Sequence, residues 1–211
     1  LIVIWAGVGF KRANGQWSIV FLVARCLLVP RGMSIPRAEM ESLVGGSNMM
    51  WMLRQILAKW VDSFILAGDA RIPLFWILSD KHRLSLWHRT RSAQIRRGTP
   101  NEHIYHVTSA ANIADIPTRP NKCSISDVGP GSEWEEGRPW MRKEISTLVR
   151  EGTLTPISAL TNIEEDDKAE YMEGMVTPHI LRTTPLDAPR SKPEPCTPNT
   201  SCSQQPSHSP K

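Results

Sequence analysis

The sequence predicts an α/β fold, a mixed sheet flanked by helices, and three observations carry that prediction. Two apolar runs joined by a turn signal open the chain, a long stretch with apolar residues at helical spacing follows, and a short apolar run then ends in an acid. The third stretch organises the rest. Phe64-Ile-Leu-Ala67 has the length of a buried strand, Gly68-Asp69 breaks it, and Ile72-Pro73 opens a helix whose apolar face is Leu74, Phe75, Ile77 and Leu78. Asp69 is thereby set at the carboxyl end of a buried strand, where open α/β sheets hold their sites. The simpler role for the same side chain is a cap on the helix beginning near Ile72.

Taken in order, Trp5–Phe10 and Ser18–Ala24 read as strands, with Asn14-Gly15 between them as a hairpin turn and an extension through Cys26–Val29. No Asp or Glu precedes Glu39. Pro36 or Arg37 opens a helix to about Trp60, with Met40, Leu43, Val44, Trp51, Ile56, Leu57 and Trp60 on one face. Gly45-Gly46 inside it costs about 1 kcal/mol per glycine relative to alanine and marks either a close backbone contact or a weak point. Glu39 falls in the first turn, where the helix dipole favours a carboxylate. A further helix covers Leu84–Arg97, with Leu84, Trp87, Arg91 and Ile95 on one face. His103–Val107 alternates like a strand, and Ser109–Arg119 is a small-residue turn leading into a helical start at Asp115, again a capping position. Ser132–Met141 is an aromatic turn that folds back on the domain, and Arg142–Val149 forms a short amphipathic helix.

Charge divides the chain. Residues 1–122 carry a balance of +9 and residues 123–211 one of −5. A basic globular part points to a polyanion partner, and an acidic, proline-rich end points to solvation. Between Lys81 and Arg97 the six residues Lys81, Arg83, Arg89, Arg91, Arg96 and Arg97 have no acid among them, the pattern of a phosphate-contacting surface; a solvated helix face is the plainer alternative. Cys26, Cys123, Cys196 and Cys202 have no metal-ligand spacing, so a disulfide framework is not expected and a reducing, cytoplasmic or nuclear compartment is. Leu1–Ile4 is too short to span a bilayer, and no membrane association is expected. The chain opens on Leu1, which reads as a fragment or a processed piece.

Glu39, Asp69 and Asp115 are the candidate site. In the element order β-β-α-β-α…β-α they converge at one edge of a mixed sheet. Clustered carboxylates repel one another and persist chiefly where a divalent cation neutralises them.

The chain resembles the ribonuclease H-like region of BEL/Pao retrotransposon polyproteins. The residues that carry the resemblance are Ile35-Pro-Arg-Ala-Glu-Met40, Gly68-Asp-Ala70 before Leu74-Phe-Trp-Ile77, Tyr105-His-Val107 and Asn112-Ile-Ala-Asp-Ile-Pro-Thr-Arg119, followed by Trp134-Glu-Glu-Gly-Arg-Pro-Trp140. Trp87, Arg91 and Ile95 stand where the family has an aromatic residue, an arginine and an isoleucine. The match covers about residues 5–141. The composition of 161–211, acidic and then Pro/Ser-rich with little apolar mass, makes that stretch a disordered tail; the match implies a ribonuclease H-like domain over 1–122 with an aromatic turn and short helix appended over 123–160. It also implies that Glu39, Asp69 and Asp115 are the second, third and fourth ligands of a Mg²⁺ site that cleaves the RNA strand of an RNA–DNA hybrid. Reverse transcriptase would lie upstream and integrase downstream in an intact polyprotein.

Three departures matter. Gly68 stands where the family has Thr or Ser, and Ile113 where it has proline. The family's first carboxylate, which bridges both ions, belongs just before the segment matching Trp5–Arg12, and no acid stands there. The expectation is therefore a truncated domain with an incomplete metal site, silent as a 211-residue piece. The alternative is a non-catalytic nucleic-acid-binding or scaffold domain from a decayed or host-reused element.

Overall fold

The computed structural model describes residues 1–79, 82–119, 123–161, 163 and 167–175. Lys81, Cys196, Cys202 and the predicted Pro/Ser-rich tail lie outside the described residues. Strand β1 (Ile2–Lys11) pairs antiparallel with β2 (Trp17–Leu27), from Lys11 opposite Trp17 to Ile2 opposite Leu27. Asn14-Gly15 makes the turn: Gly15 has φ +82°, and the Arg12 N–H donates to the Gln16 carbonyl at 2.8 Å. Both strands outrun the apolar segments that announced them, because ladder hydrogen bonding continues past polar residues on an outer face.

Helix α1 (Ile35–Leu57) starts with proline in its first turn, as proline's fixed φ allows. Met40, Leu43 and Val44 are buried as predicted. Trp51, Ile56 and Trp60 are not: they are 57%, 60% and 76% exposed. The buried stripe instead runs on through Gly46, Ser47, Met49 and Met50. The glycine pair is the reason. A methyl group at Gly45 would strike Ile4 of β1, and one at Gly46 would lie 2.8 Å from Leu66. The helix backbone thus lies directly on its neighbours there, and the aromatic residues one turn on face solvent. Gly45-Gly46 is a close contact.

Strand β3 (Leu66–Gly68) is followed by α2 (Arg71–Leu78), α3 (Leu86–Gly98) and β4 (Ile104–Val107). Then come α4 (Ile125–Val128), α5 (Glu133–Glu136), α6 (Ile145–Arg150), β5 (Leu154–Pro156) and α7 (Lys168–Glu173). β3 lies parallel to β4, and β4 antiparallel to β5. The fold is therefore mixed α/β with small sheets flanked by helices. One expectation is corrected: among the described residues the strands form two sheets, β1-β2 and β3-β4-β5, with no ladder joining β1 to β3. Leu84 also falls outside α3 and bridges Met175.

The main core lies between α1, α2, α3 and the β3-β4-β5 sheet, and contains Met40, Leu43, Leu74, Trp76, Ile77, Ile95, Ile104 and Ile157. Trp134 of α5 packs on Val3 of β1, and the Trp5 indole N–H donates to the Trp134 carbonyl at 2.9 Å. Residues beyond 122 are thus built into the same core as the first strand. The same holds for α7, which falls inside the stretch expected to be disordered. Tyr171 and Met175 pack on the core, and the Tyr171 carbonyl accepts the Trp76 indole N–H at 2.9 Å. Charge patterning missed this because two anchoring residues suffice once a buried N–H needs a partner.

His88 of α3 is fully buried between Trp76 and Trp87, with ring centroids at 4.3 and 4.7 Å, and its Nδ1 lies 2.7 Å from the Ser85 hydroxyl. Burial, and then the Arg37 charge, bring its pKa down from 6.5 to about 4. The unfolded chain takes up this proton near 6.5 and the folded chain does not, so stability falls as pH drops from about 6.5 to 4 and changes no further below that. Urea titration of the wild type and His88→Asn at pH 7 and pH 4.5 checks this. The wild type is expected to lose about 2 kcal/mol more than the variant on acidification. Equal losses would refute it.

Candidate functional site

Asp69 follows β3 and precedes α2, where the strand-end argument puts it, but it caps nothing. The N-cap of α2 is Ala70, with no side-chain cap bond. The Asp69 carboxylate instead accepts a hydrogen bond from Asn112 Nδ2 at 3.0 Å. Asp115 does not cap its 3-10 turn (Ile113–Thr118) either. Asn112 does, its side-chain oxygen accepting from the Ala114 N–H at 3.1 Å. That bond fixes the orientation of the amide, so its NH₂ points at the carboxylates and reaches Asp115 Oδ1 at 3.3 Å as well as Asp69. One neutral donor group therefore sits between two aspartates that are 46 residues apart in the chain.

Glu39 is the third member. Because α1 begins at Ile35, Glu39 lies in the second turn, and the first turn holds no acid. The expected dipole role fails, since that effect fades within one turn. Its environment disfavours charge. Burial first, then Asp69, Glu170, Asp115 and Asp167, push its pKa from 4.5 up to about 7. Asp115 is also raised, by burial and then by Asp69, while Arg119 and Arg138 pull the other way. The carboxylates of Glu39, Asp69 and Asp115 are thus close enough to feel one another's charge. Asp167 and Glu170, from the acidic stretch around α7, add to the field. Gly68 allows this convergence: a methyl group there would lie 2.9 Å from Leu43, one turn along α1 from Glu39.

Two further groups shape the site, and neither had an assigned role from sequence. His106 of β4, next in the sheet, places Nε2 3.2 Å from the Asp69 backbone carbonyl, to which it donates. Burial, and after it the Arg71 charge, lower its pKa, while its bond to the Asp69 carbonyl and the Asp69 charge pull the other way. The loop before Asn112 is clamped from the aromatic turn: Arg138 donates to the Ala110 carbonyl, and the Trp140 indole N–H donates to the Ala111 carbonyl at 3.1 Å. Gly137 makes that clamp feasible. Its φ of +75° suits glycine, and a methyl group there would lie 2.7 Å from Ile19. The sequence signal available for Asn112 was its position three residues before an acid, on a turn of small residues.

Carboxylate and amide oxygens are the donors that Mg²⁺ takes, so the chemistry of the set suits that ion. The geometry does not close into a shell. Among the described residues, no group of three His, Cys, Asp or Glu side chains is arranged to hold a metal ion, and the Asn112 NH₂ presents hydrogens between the two aspartates. The residues bring charge together without assembling a coordination site.

Of the basic residues predicted to contact phosphate, Arg83, Arg89 and Arg97 are exposed. Arg91 is engaged inside the fold: its Nε is 3.0 Å from Glu41 Oε1, and its guanidinium lies 4.7 Å from the Trp87 ring centre. Arg96 donates to the Ile77 carbonyl at 2.8 Å, closing α3 onto the end of α2. Cys26 and Cys123 are free thiols. No helix among the described residues is long and apolar enough to cross a membrane.

Comparison with protein-family models, with curated proteins and with solved structures finds no match to this chain.

Proposed function

We propose that the chain is a ribonuclease H-like domain of the BEL/Pao retrotransposon kind that binds RNA–DNA hybrid and, as these 211 residues, does not turn it over. One observation carries the reading. Glu39, Asp69 and Asp115, on three separate elements, share one electrostatic neighbourhood: Asp69 and Asp115 raise the pKa of Glu39, Asp69 raises that of Asp115, and the Asn112 amide reaches both aspartates. Repelling carboxylates of this kind are otherwise costly to keep together. In the family the chain resembles, carboxylates at these positions hold Mg²⁺, which supplies an activated water and charge neutralisation at the scissile phosphate. The hybrid-binding surface of this reading is the outer face of α3, where the exposed Arg89 and Arg97 lie two turns apart.

Hybrid binding by the full chain, measured by filter retention across a salt series, tests the binding half. Converting Arg89 and Arg97 together to glutamine is expected to weaken hybrid affinity about tenfold and to reduce the salt slope by about 2. An unchanged slope would remove α3 from the interface. Hybrid cleavage in Mg²⁺ or Mn²⁺ tests the catalytic half. No turnover is expected, and turnover that vanishes with Glu39→Gln would overturn the non-catalytic form.

A further inference from the structure

We infer that α7 is an acidic strap, latched through Glu173, that holds nucleic acid off the molecule while it is seated and admits it when released. The inference deepens the nucleic-acid-binding reading and rests on it. From Asp167 to Met175 the strap carries three acids, Asp167, Glu170 and Glu173, against one lysine, Lys168. The six residues of α7 are too few for a helix to persist without tertiary contacts. Its attachments therefore keep it in place, and they run to the ends of three other helices.

Glu173 meets the start of α1. The Ser34 hydroxyl donates to its carboxylate, 2.8 Å from one oxygen and 3.0 Å from the other, and Arg37 Nε lies 2.6 Å from Oε1. At the end of α2 the Tyr171 hydroxyl is 2.9 Å from Ser79 Oγ. Just before α3 the Ser85 N–H donates to the Gly174 carbonyl at 2.8 Å. Of these attachments only that of Glu173 joins two full charges, which makes it the strong one.

The latch is made in place of a cap. Ser34 is the N-cap residue of α1, yet its side chain makes no cap bond, because the hydroxyl is given to Glu173. A serine freed from Glu173 can turn to the open N–H groups of the first turn, so release recovers part of what it gives up. Opening therefore costs less than the attachments alone suggest, as suits a segment at the low-stability end of a fold.

Seating the strap changes the charge that a polyanion meets. Arg37 adjoins α3: its guanidinium is 5.4 Å from the Trp87 ring centre, and that of Arg91 is 4.7 Å from the same ring. Glu173 neutralises Arg37 there. Asp167 and Glu170 meanwhile reach the field of Glu39 and add negative charge beside the carboxylates. Release withdraws those acids and returns Arg37 to the basic side of the molecule, so strap and nucleic acid exclude one another.

Glu173→Gln and Glu170→Gln in the full chain test this, since each removes one strap charge but only the first undoes the latch. Amide hydrogen exchange over 171–175 reports the strap, and filter retention reports RNA–DNA hybrid. Glu173→Gln is expected to speed exchange there about tenfold, with 43–50 of α1 unchanged, and to tighten hybrid binding about fivefold at low salt. Glu170→Gln is expected to leave exchange as it is and to shift affinity by less than about twofold. Unchanged exchange in Glu173→Gln would remove the latch. Faster exchange with unaltered affinity, or an equal gain from Glu170→Gln, would overturn the proposal while leaving hybrid binding in place. Retention of hybrid by neither the wild type nor Glu173→Gln would refute the nucleic-acid reading itself, and this inference with it.

Discussion

Trp76→Ala is expected to cost about 3–5 kcal/mol, the usual penalty for emptying a large aromatic site in a core. Trp76 is fully buried in the main cluster and packs edge-on against His88. Its N–H is also the anchor for α7, and Gly174 lies so close that any side chain there would strike the indole. The substitution therefore removes apolar contact, opens a cavity and leaves the Tyr171 carbonyl without its donor. Domains are commonly stable by only about 5–15 kcal/mol, so the variant should be marginal or unfolded. Trp76→Phe separates the contributions: it keeps most of the apolar volume and loses the hydrogen bond, and about 1–2 kcal/mol is expected. Urea unfolding of both variants checks the pair. A loss below about 1 kcal/mol for alanine would mean that α7 and the centre of the core are not coupled through this residue.

Glu39→Gln should stabilise the protein at pH 8 by about 1–3 kcal/mol and change little at pH 4.5. The folded-state pKa, about 7, lies above the unfolded value, so the folded chain holds a proton that the unfolded chain gives up. Its favourable contribution is complete below pH 4.5 and is lost as pH rises towards 7, beyond which the cost is constant. Part of the side chain meets solvent, and the range is reduced for that screening. His88 has the opposite slope across nearly the same window. The wild type should therefore show a shallow pH profile, and removing Glu39 should uncover the acid-side decline. Urea midpoints at pH 4.5, 6 and 8 decide it. A stabilisation of equal size at every pH would mean that the glutamate acts through packing, with no part played by its charge.

Much of the architecture was readable along the chain because it is local. The Asn14-Gly15 turn, the start of α1 at a proline and the break from β3 into α2 each depend on a few consecutive residues, and each appears where its pattern lies. The three carboxylates were also found by position, since strand ends and loop-to-helix junctions can be read in one dimension.

What the sequence determined by itself was the order of elements, the separation of charge and the positions of three acids. The tertiary structure alone decided what those acids do to one another. Capping was the local reading for Asp69 and Asp115, and it fails because Asn112 takes the cap and turns its amide towards both. The dipole reading for Glu39 fails because α1 begins at Ile35 and leaves that side chain in the second turn, where what packs around it, burial and the two aspartates, sets its charge. The hydrophobic face of α1 was misjudged for the same reason, as periodicity shows which residues share a face but not which face a neighbour covers. Proximity between distant segments is set by which surfaces pack, and no short window of sequence contains both surfaces.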